Sequence, residues 1–349
     1  MLLPKLNSPR WLVKLFNYEY WTWWVFFLPV VPYWAYLALR NRSLTYFTTV
    51  NPCIPDGGVF GESKMDILNQ INPKYLPTSV FVPLNERFES VLKQLKGSEM
   101  GFPIVAKPDV GGRGFRVERI DSQRALQTYL AAAIMPVILQ EFVDYELEFG
   151  VMYARLPNQP KGRVTSITQK EFLTVVGNGQ ASIGELLQQN TRARMAMDDL
   201  RQRISNEDWN AVLPVHEKRL VQPIGNHCLG TKFLNANHLI NARLSQVFDD
   251  IAVPITGFYF GRFDLKVRSL ADLYAGRNIK IMELNGATSE PGHIYDPSYQ
   301  LWQAYRDVMQ QMKMVADISA ANRKLGFQPT PLRQLLKNSS DYFAVSGQF

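Results

Sequence analysis

Residues 257–267 read G-F-Y-F-G-R-F-D-L-K-V, and residues 279–297 read I-K-I-M-E-L-N-G-A-T-S-E-P-G-H-I-Y-D-P. The first run alternates as a β-strand does, which puts Phe260, Arg262, Asp264 and Lys266 on one side. The second run treats Ile279, Ile281, Glu283 and Asn285 in the same way. Residues 269–278 between them are few enough to return the chain antiparallel to itself. Asp264, Glu283 and Asn285 then converge at one end of a sheet, with Arg262 two residues before the aspartate. A few hard oxygen ligands of this kind suit Mg2+ shared with the phosphates of a nucleotide. The same residues also suit a wet sheet face on which the carboxylates pair with Lys266 and Arg262.

The remainder of the chain is that of a folded protein. It has 349 residues, 46% of them hydrophobic and 20% charged, enough for a large core and two or three subdomains. A net charge of +7 favours anionic partners such as nucleotide phosphates or an acidic membrane surface. The basic residues are scattered and form no DNA- or RNA-binding signature, so nucleic acid is not an expected partner. Cys53 and Cys228 are the only cysteines, and they lack C-x-x-C spacing. That argues against a disulfide scaffold or a zinc site and for a reducing compartment. Cys228 follows His227 directly, and adjacent residues on an extended chain face opposite ways, so the two do not read as a nucleophile pair.

Residues 21–39, W-T-W-W-V-F-F-L-P-V-V-P-Y-W-A-Y-L-A-L, run without a charge from Trp21 to Leu39. Lys5, Arg10 and Lys14 precede the run, and Arg40 and Arg42 follow it. Its aromatics and the lack of a small-residue cleavage site exclude a cleaved signal peptide. A straight spanning helix needs ~20 apolar residues, and Pro29 and Pro32 interrupt this one. The expectation is a membrane-associating segment, residues 1–43, that bends at the prolines as a re-entrant hairpin, entering and leaving the same leaflet without crossing as a straight helix; the alternative is a buried helix packed on the rest of the fold.

Residues 44–95 read as a reduced α/β preamble: a strand over 44–50, a turn-rich loop to Gly58, a short helix over 62–71, a strand over 76–82 and an amphipathic helix over 88–96. Residues 102–115, F-P-I-V-A-K-P-D-V-G-G-R-G-F, then place Lys107 at the end of a buried strand. Gly111, Gly112 and Gly114 permit a tight loop whose amides can close over phosphates. It is not a Walker A loop, because no G-K-[ST] follows. Residues 136–155 hold two strand-like runs joined at Q-E-F-V, a hinge able to offer backbone groups to an adenine edge, and Glu148 has a carboxylate to spare for ribose hydroxyls. A strand over 163–170 follows, then a turn at 177–179 and a helix capped by Ser182. Residues 190–218 read as a charged helical lid, and residues 225–231 as a polar loop. The chain is helical from Pro297 to about Leu325, and the tail, 326–349, is polar and loose.

In order and spacing, these pieces resemble the ATP-grasp superfamily, and within it the carboxylate–amine ligases such as D-alanine–D-alanine ligase, glutathione synthetase and cyanophycin synthetase. The matching features are Lys107 with the 111–115 loop, the Q-E-F-V hinge with Glu148, G-R-F-D and E-L-N-G, over about residues 60–300. Residues 175–187, V-V-G-N-G-Q-A-S-I-G-E-L-L, also look like the V-x-G-D-G-x-x-T-I-x-E-L run of the cyanophycin type, with Asn178 where Asp is usual. The resemblance implies an α+β ATP-grasp fold over 96–325, with ATP and Mg2+ gripped between two α+β subdomains. It implies that Lys107 touches phosphates or adenine, Glu141, Phe142 and Val143 the base, and Glu148 the ribose. Asp264, Glu283 and Asn285 would hold two Mg2+ ions, and Arg262 would steady the transferring phosphoryl group. The domain that usually precedes the grasp and helps bind a substrate is cut to some fifty residues, so the substrate does not carry over.

The implied reaction joins a small-molecule carboxylate to an amine through an acyl phosphate, in the cytoplasm, on the cytoplasmic face of a membrane. It needs no protein nucleophile, which agrees with the lack of a Ser/His/Asp set. Asn226, His227, Lys232, Ser289, Glu290 and His293 are the nearest candidates for substrate contacts. Two other readings use the same residues: a phosphotransferase that forms no amide, and a membrane-tethered ATP-binding module that regulates a partner.

Overall fold

Alternating apolar residues build the larger of the sheets in the computed structural model, which describes residues 9–112, 114–222, 225 and 230–346. Among the described residues there are eleven strands: β1 (Ser79–Val82), β2 (Ile104–Pro108), β3 (Glu118–Ile120), β4 (Val137–Glu141), β5 (Leu147–Ala154), β6 (Arg163–Glu171), β7 (Thr174–Val176), β8 (Lys218–Leu220), β9 (Lys232–Asn235), β10 (Phe260–Val267) and β11 (Ile279–Asn285). The larger sheet has the order β11-β10-β5-β6-β9, and every pairing in it is antiparallel. One face carries Phe149, Val151, Tyr153, Phe263 and Leu265 into a core closed by the Ala242–Ala252 helix through Leu244 and Phe248. The opposite face of β5 and β10 carries Glu148, Gly150, Arg262, Asp264 and Lys266, the period-2 consequence of the same pattern.

The smaller sheet, β1-β4-β2-β3, is also antiparallel. The helices Phe88–Gly97 and Gln123–Ala131 cover one side of it, with Val91, Leu95 and Leu126 packed on Val80, Ile104 and Leu139. Ser122 caps the second helix by accepting from Ala125 N. A two-stranded ribbon, β7-β8, stands apart with the Ile183–Gln189 helix. Ser182 and Glu185 form a complete capping box there, as the spacing S-x-x-E predicts.

Four expectations need correction. Residues 44–50 form no strand; Tyr46–Thr49 is a 3-10 turn, with Tyr46 and Val50 buried beside the Leu301–Lys324 helix. The Thr48 and Thr49 hydroxyls donate to the carbonyls of Thr45 and Tyr46, three residues back (2.8 and 2.9 Å), a local bond that competes with strand pairing. Residues 190–218 break into the short helices Thr191–Met195, Met197–Arg203 and Asn206–Asn210 before β8. The tail is not loose: Leu332–Ser346 is a helix. Asp56 holds it through Thr330 and Asn338 (2.6 and 2.7 Å), and Phe60 meets Tyr342 and Phe343. Finally, β11 does not keep one face. Asp264 lies opposite Glu283 but Leu265 lies opposite Ile281, so Met282 is the extra residue of a β-bulge. Ile279 and Ile281 therefore enter the core while Glu283 turns to the side of Asp264.

The aromatic N-terminal segment is divided into the helices Arg10–Phe16, Trp23–Phe27 and Val31–Arg40, with 3-10 turns at Tyr18–Tyr20 and Leu28–Val30. Pro29 and Pro32 sit in first turns, where the missing N–H costs nothing. Among the described residues, no helix is long and apolar enough to cross a membrane. The segment packs by one face only. Tyr18, Phe26 and Val30 are buried against Ile294, Ala304 and Val308, and Leu37 and Ala38 against Val315 and Ile318. The other face is apolar and exposed, with Trp23 at 59%, Trp24 at 58%, Leu28 at 63% and Leu39 at 79% of full accessibility.

Candidate active site

The cleft between the two sheets encloses about 520 Å³. β2 delivers Lys107 to it from one sheet; β5, β6, β10 and β11 deliver Glu148, Lys170, Arg262, Asp264, Glu283 and Asn285 from the other. Gly111, Gly112, Gly114 and the hinge residues Glu141, Phe142 and Val143 line it as well. Each of the expected nucleotide and metal residues thus borders one space. Arg113, inside the glycine loop, lies outside the described residues.

Asp264 is the electrostatic centre. Arg262 grips it in a fork, Nε to both carboxylate oxygens at 3.2 Å and Nη2 to Oδ2 at 3.0 Å. Lys170 Nζ stands 3.3 Å from Oδ1, and Asn285 Nδ2 donates to Oδ2 at 2.9 Å. Burial alone would raise the Asp264 carboxyl, but the charges of Arg262 and Lys170 hold it below the usual aspartate range. Lys170 also donates to Glu148 at 2.8 Å, directly across the β5-β6 pair. Of the pairings the wet-face reading foresaw, Arg262 to Asp264 is present. Lys266 instead donates to the Val143 carbonyl at 3.0 Å, under the Phe142 ring, and so fastens the hinge to β10.

Lys107 is buried and donates to Gln140 Oε1 at 3.1 Å and to the Met282 carbonyl at 2.8 Å. Burial pushes its ammonium down to about 8, against the pull of Glu283. Beside it the loop takes φ values of +132° at Gly111 and +70° at Gly114, the left-handed region in which glycine is unstrained. Lys64 donates to the Gly111 carbonyl, and Asp109 anchors the loop's start by accepting from Met65 N at 2.9 Å.

The donor set fits a cation on chemical grounds. Asp264 and Glu283 face each other across β10 and β11, and Asn285 adds an amide oxygen, so all three offer hard oxygen. Among the described residues, no group of three His, Cys, Asp or Glu could hold a metal ion by itself. The set therefore suits Mg2+ that completes its shell with phosphate oxygens, and not a protein-only cage.

The candidate substrate residues divide. Glu290 lines the cleft; its carbonyl accepts from Arg262 at 3.1 Å and its carboxylate from Tyr295 at 2.7 Å. Ser289, His293 and Lys232 are not among its lining residues. Ser289 turns its hydroxyl back to the Asn285 carbonyl (2.7 Å) and closes the turn after β11. His293 is buried, 3.0 Å from Asp307 and edge-on to Tyr299. Lys232, at the start of β9, is 3.7 Å from Glu171. Asn226, His227 and Cys228 lie outside the described residues. Two contributors escaped the motifs. Lys170 follows Ser166 and Thr168 on one face of β6, a polar alternation that marks it in retrospect. The other is the N-terminal segment itself, whose Glu19, Trp21, Trp23 and Phe26 form a wall of the cleft.

No family model matches this chain, and no curated protein matches it. Among solved structures it is similar to D-alanine–D-alanine ligase from Bacillus anthracis complexed with ATP, with 12% identity over 76% of this chain and 68% of that one and a TM-score of 0.42. It is similar to VanG D-Ala:D-Ser ligase from Enterococcus faecalis, with 14% identity, coverage of 70% and 57%, and a TM-score of 0.39. A bifunctional glutathione synthetase from Pasteurella multocida gives 13%, 72% and 36%, and 0.37. These are ATP-grasp carboxylate–amine ligases, the family that the motifs of this chain resemble. The chain spans about a third of the length of the glutathione synthetase and just over half that of the VanG ligase.

Proposed function

We propose that the chain is an ATP-dependent carboxylate–amine ligase. The observation that carries this is the meeting, in one cleft between two sheets, of Lys107, the 111–114 loop, the 141–143 hinge, Glu148, Arg262 and the Asp264–Glu283–Asn285 set. A carboxylate oxygen of the acid attacks the γ-phosphorus of ATP and ADP departs, leaving an acyl phosphate. The amine nitrogen then attacks the acyl carbon, inorganic phosphate departs and a proton is lost, leaving an amide. Bound at Asp264, Glu283 and Asn285, Mg2+ would neutralise phosphate charge. Lys107 holds phosphates as a point charge, and the glycine loop covers them with backbone N–H groups. The hinge at 141–143 lies along the base, and Glu148 faces the ribose. Arg262, pre-aimed by Asp264, stabilises charge on the transferring phosphoryl group. Incubating the protein with ATP, Mg2+ and pooled acids and amines tests this; ADP formed together with a phosphorylated substrate and no new amide mass would make it a phosphotransferase.

Lys107 gives a pH prediction. Its ammonium is charged below about pH 8 and neutral above, so ATP affinity should fall above that value, by up to about tenfold per pH unit. Lys107→Met should bind ATP more weakly and without that slope. Without nucleotide the sign reverses. The unfolded lysine keeps its proton up to about 10.5 while the folded one has lost it, so between these values stability rises with pH. The wild-type minus Lys107→Met difference in melts from pH 7 to 10 isolates this term; a flat difference would place Lys107 in water.

The exposed apolar face at Trp23, Trp24, Leu28 and Leu39 is proposed to rest on the cytoplasmic surface of an anionic membrane. Arg10 and Arg40 pair with Asp198 and Asp317, while Lys14 and Arg42 are exposed flanking cations that anionic headgroups could attract. Trp24→Asp with Leu28→Asp should cut co-sedimentation with phosphatidylcholine–phosphatidylglycerol vesicles by at least about tenfold. ATP affinity should stay the same. Equal sedimentation of both proteins would remove the membrane from this reading.

A further inference from the structure

We infer that one of the two substrates is an amphiphile, an acid or amine whose apolar tail lies along Trp21, Trp23 and Phe26. This rests on the ligase reading above and deepens it. The cleft is mostly charged where the sheets line it; where the N-terminal segment closes it, Trp21, Trp23 and Phe26 stand with Glu19, which is paired with Arg192, and Thr22. The two parts are joined by contacts that run outward from the reacting end. Arg262 donates to the Glu290 carbonyl at 3.1 Å, the Glu290 carboxylate accepts from Tyr295 at 2.7 Å, and the Tyr295 ring lies 6.0 Å from that of Phe26. Phe26 is itself fixed, stacked on Tyr305 at 5.2 Å and on Tyr18 at 5.8 Å.

Several of the wall's polar groups are already engaged, Glu19 by Arg192 among them. Trp21 Nε1 donates to the Leu15 carbonyl at 3.3 Å, and the Tyr295 hydroxyl is spent on Glu290. What these rings offer a ligand is apolar surface, which a small polar amino acid could not use. Trp23 shows where such a ligand leads. It lines the cleft and is also 59% exposed, next in sequence to the exposed Trp24 and on the same segment as the exposed Leu28. Trp23 thus belongs both to the apolar side of the active site and to the exposed apolar residues of the segment. A head group held near Arg262 or Glu290 would have its tail running along this wall toward those residues.

The test separates this inference from the reading beneath it. The full chain, loaded with the non-hydrolysable analogue AMP-PNP and Mg2+, is titrated calorimetrically with n-alkyl carboxylates and n-alkylamines of four to ten carbons, below their micelle concentrations. Each methylene buried in an apolar site is worth up to about a fourfold gain in affinity, so one of the two series should tighten by at least about a hundredfold. Trp23→Ala, at a half-exposed position that tolerates truncation, should flatten that series, and Trp21→Ala should do so independently. AMP-PNP that fails to bind overturns the ligase reading itself. AMP-PNP that binds while both series stay flat overturns the amphiphile alone, as does a gradient that neither tryptophan variant changes. Presenting the longest ligand of the tightening series in phosphatidylcholine vesicles tells the source. Faster ATP turnover than with the dissolved ligand marks a substrate drawn from the bilayer, and slower turnover marks one drawn from water; either keeps the tail.

Discussion

Asp264→Asn is expected to lower turnover by about a thousandfold or more while ATP affinity changes only a fewfold. In phosphoryl transfer the protein contributes positioning and charge, and removing one such contributor costs about 10²–10⁵ in rate. Asp264 has both tasks. It is one of the two carboxylates proposed to hold the cation, and it orients Arg262 through three contacts of 3.0–3.2 Å. An asparagine keeps the shape and loses the charge, which matters most when negative charge builds in the transition state. Single-turnover phosphate release beside equilibrium nucleotide titration resolves the two quantities. Equal losses in both would make Asp264 a nucleotide-binding group and nothing more.

Phe26→Ala, outside the charged site, is expected to cost about 3–5 kcal/mol of stability, as large-to-small changes in cores do. Phe26 is 2% exposed and sits among Tyr18, Phe27, Tyr295 and Tyr305. Trp24→Ala, two positions earlier on the outer face, should cost no more than about 0.5 kcal/mol. Denaturant melts of the two variants give the contrast. Equal, small losses would mean that the N-terminal segment does not share the core in solution.

These two residues also mark how far the sequence could be read. The alternation around Asp264 was visible because both faces of β10 follow period 2, and Ser182 was visible because a capping box is local. The facing of β11 was only half visible. Glu283 and Asn285 share the cleft, but the phase of I-K-I-M-E-L-N changes at the adjacent apolar pair Ile281 and Met282, a break that the one-face reading passed over and that does not by itself say which residue the partner strand skips. A bulge depends on pairing between strands, which no single run of residues records. Lys170 was missed for a related reason, since its meaning comes from Glu148 across β6 and Asp264 two strands away. In the N-terminal segment the apolar run and its prolines were plain. Which residues face inward was not, because that is decided by Ile294, Ala304 and Val308, far along the chain. The helix at 332–346 was hidden by a polar composition that tertiary contacts to Asp56 and Phe60 override.

The bond from Lys107 to the Met282 carbonyl crosses from one sheet to the other, so without nucleotide the jaws are tied by the group proposed to receive phosphate. Encounter and engagement are then separate events in time. ATP can reach the mouth at the pace of diffusion, but it gains its lysine only after that tether lets go. The observed rate of binding should therefore rise with ATP concentration and then level off, at a ceiling set by the opening of one hydrogen bond and the sheet motion it restrains. In Lys107→Met, weaker though its binding is, that ceiling should be gone.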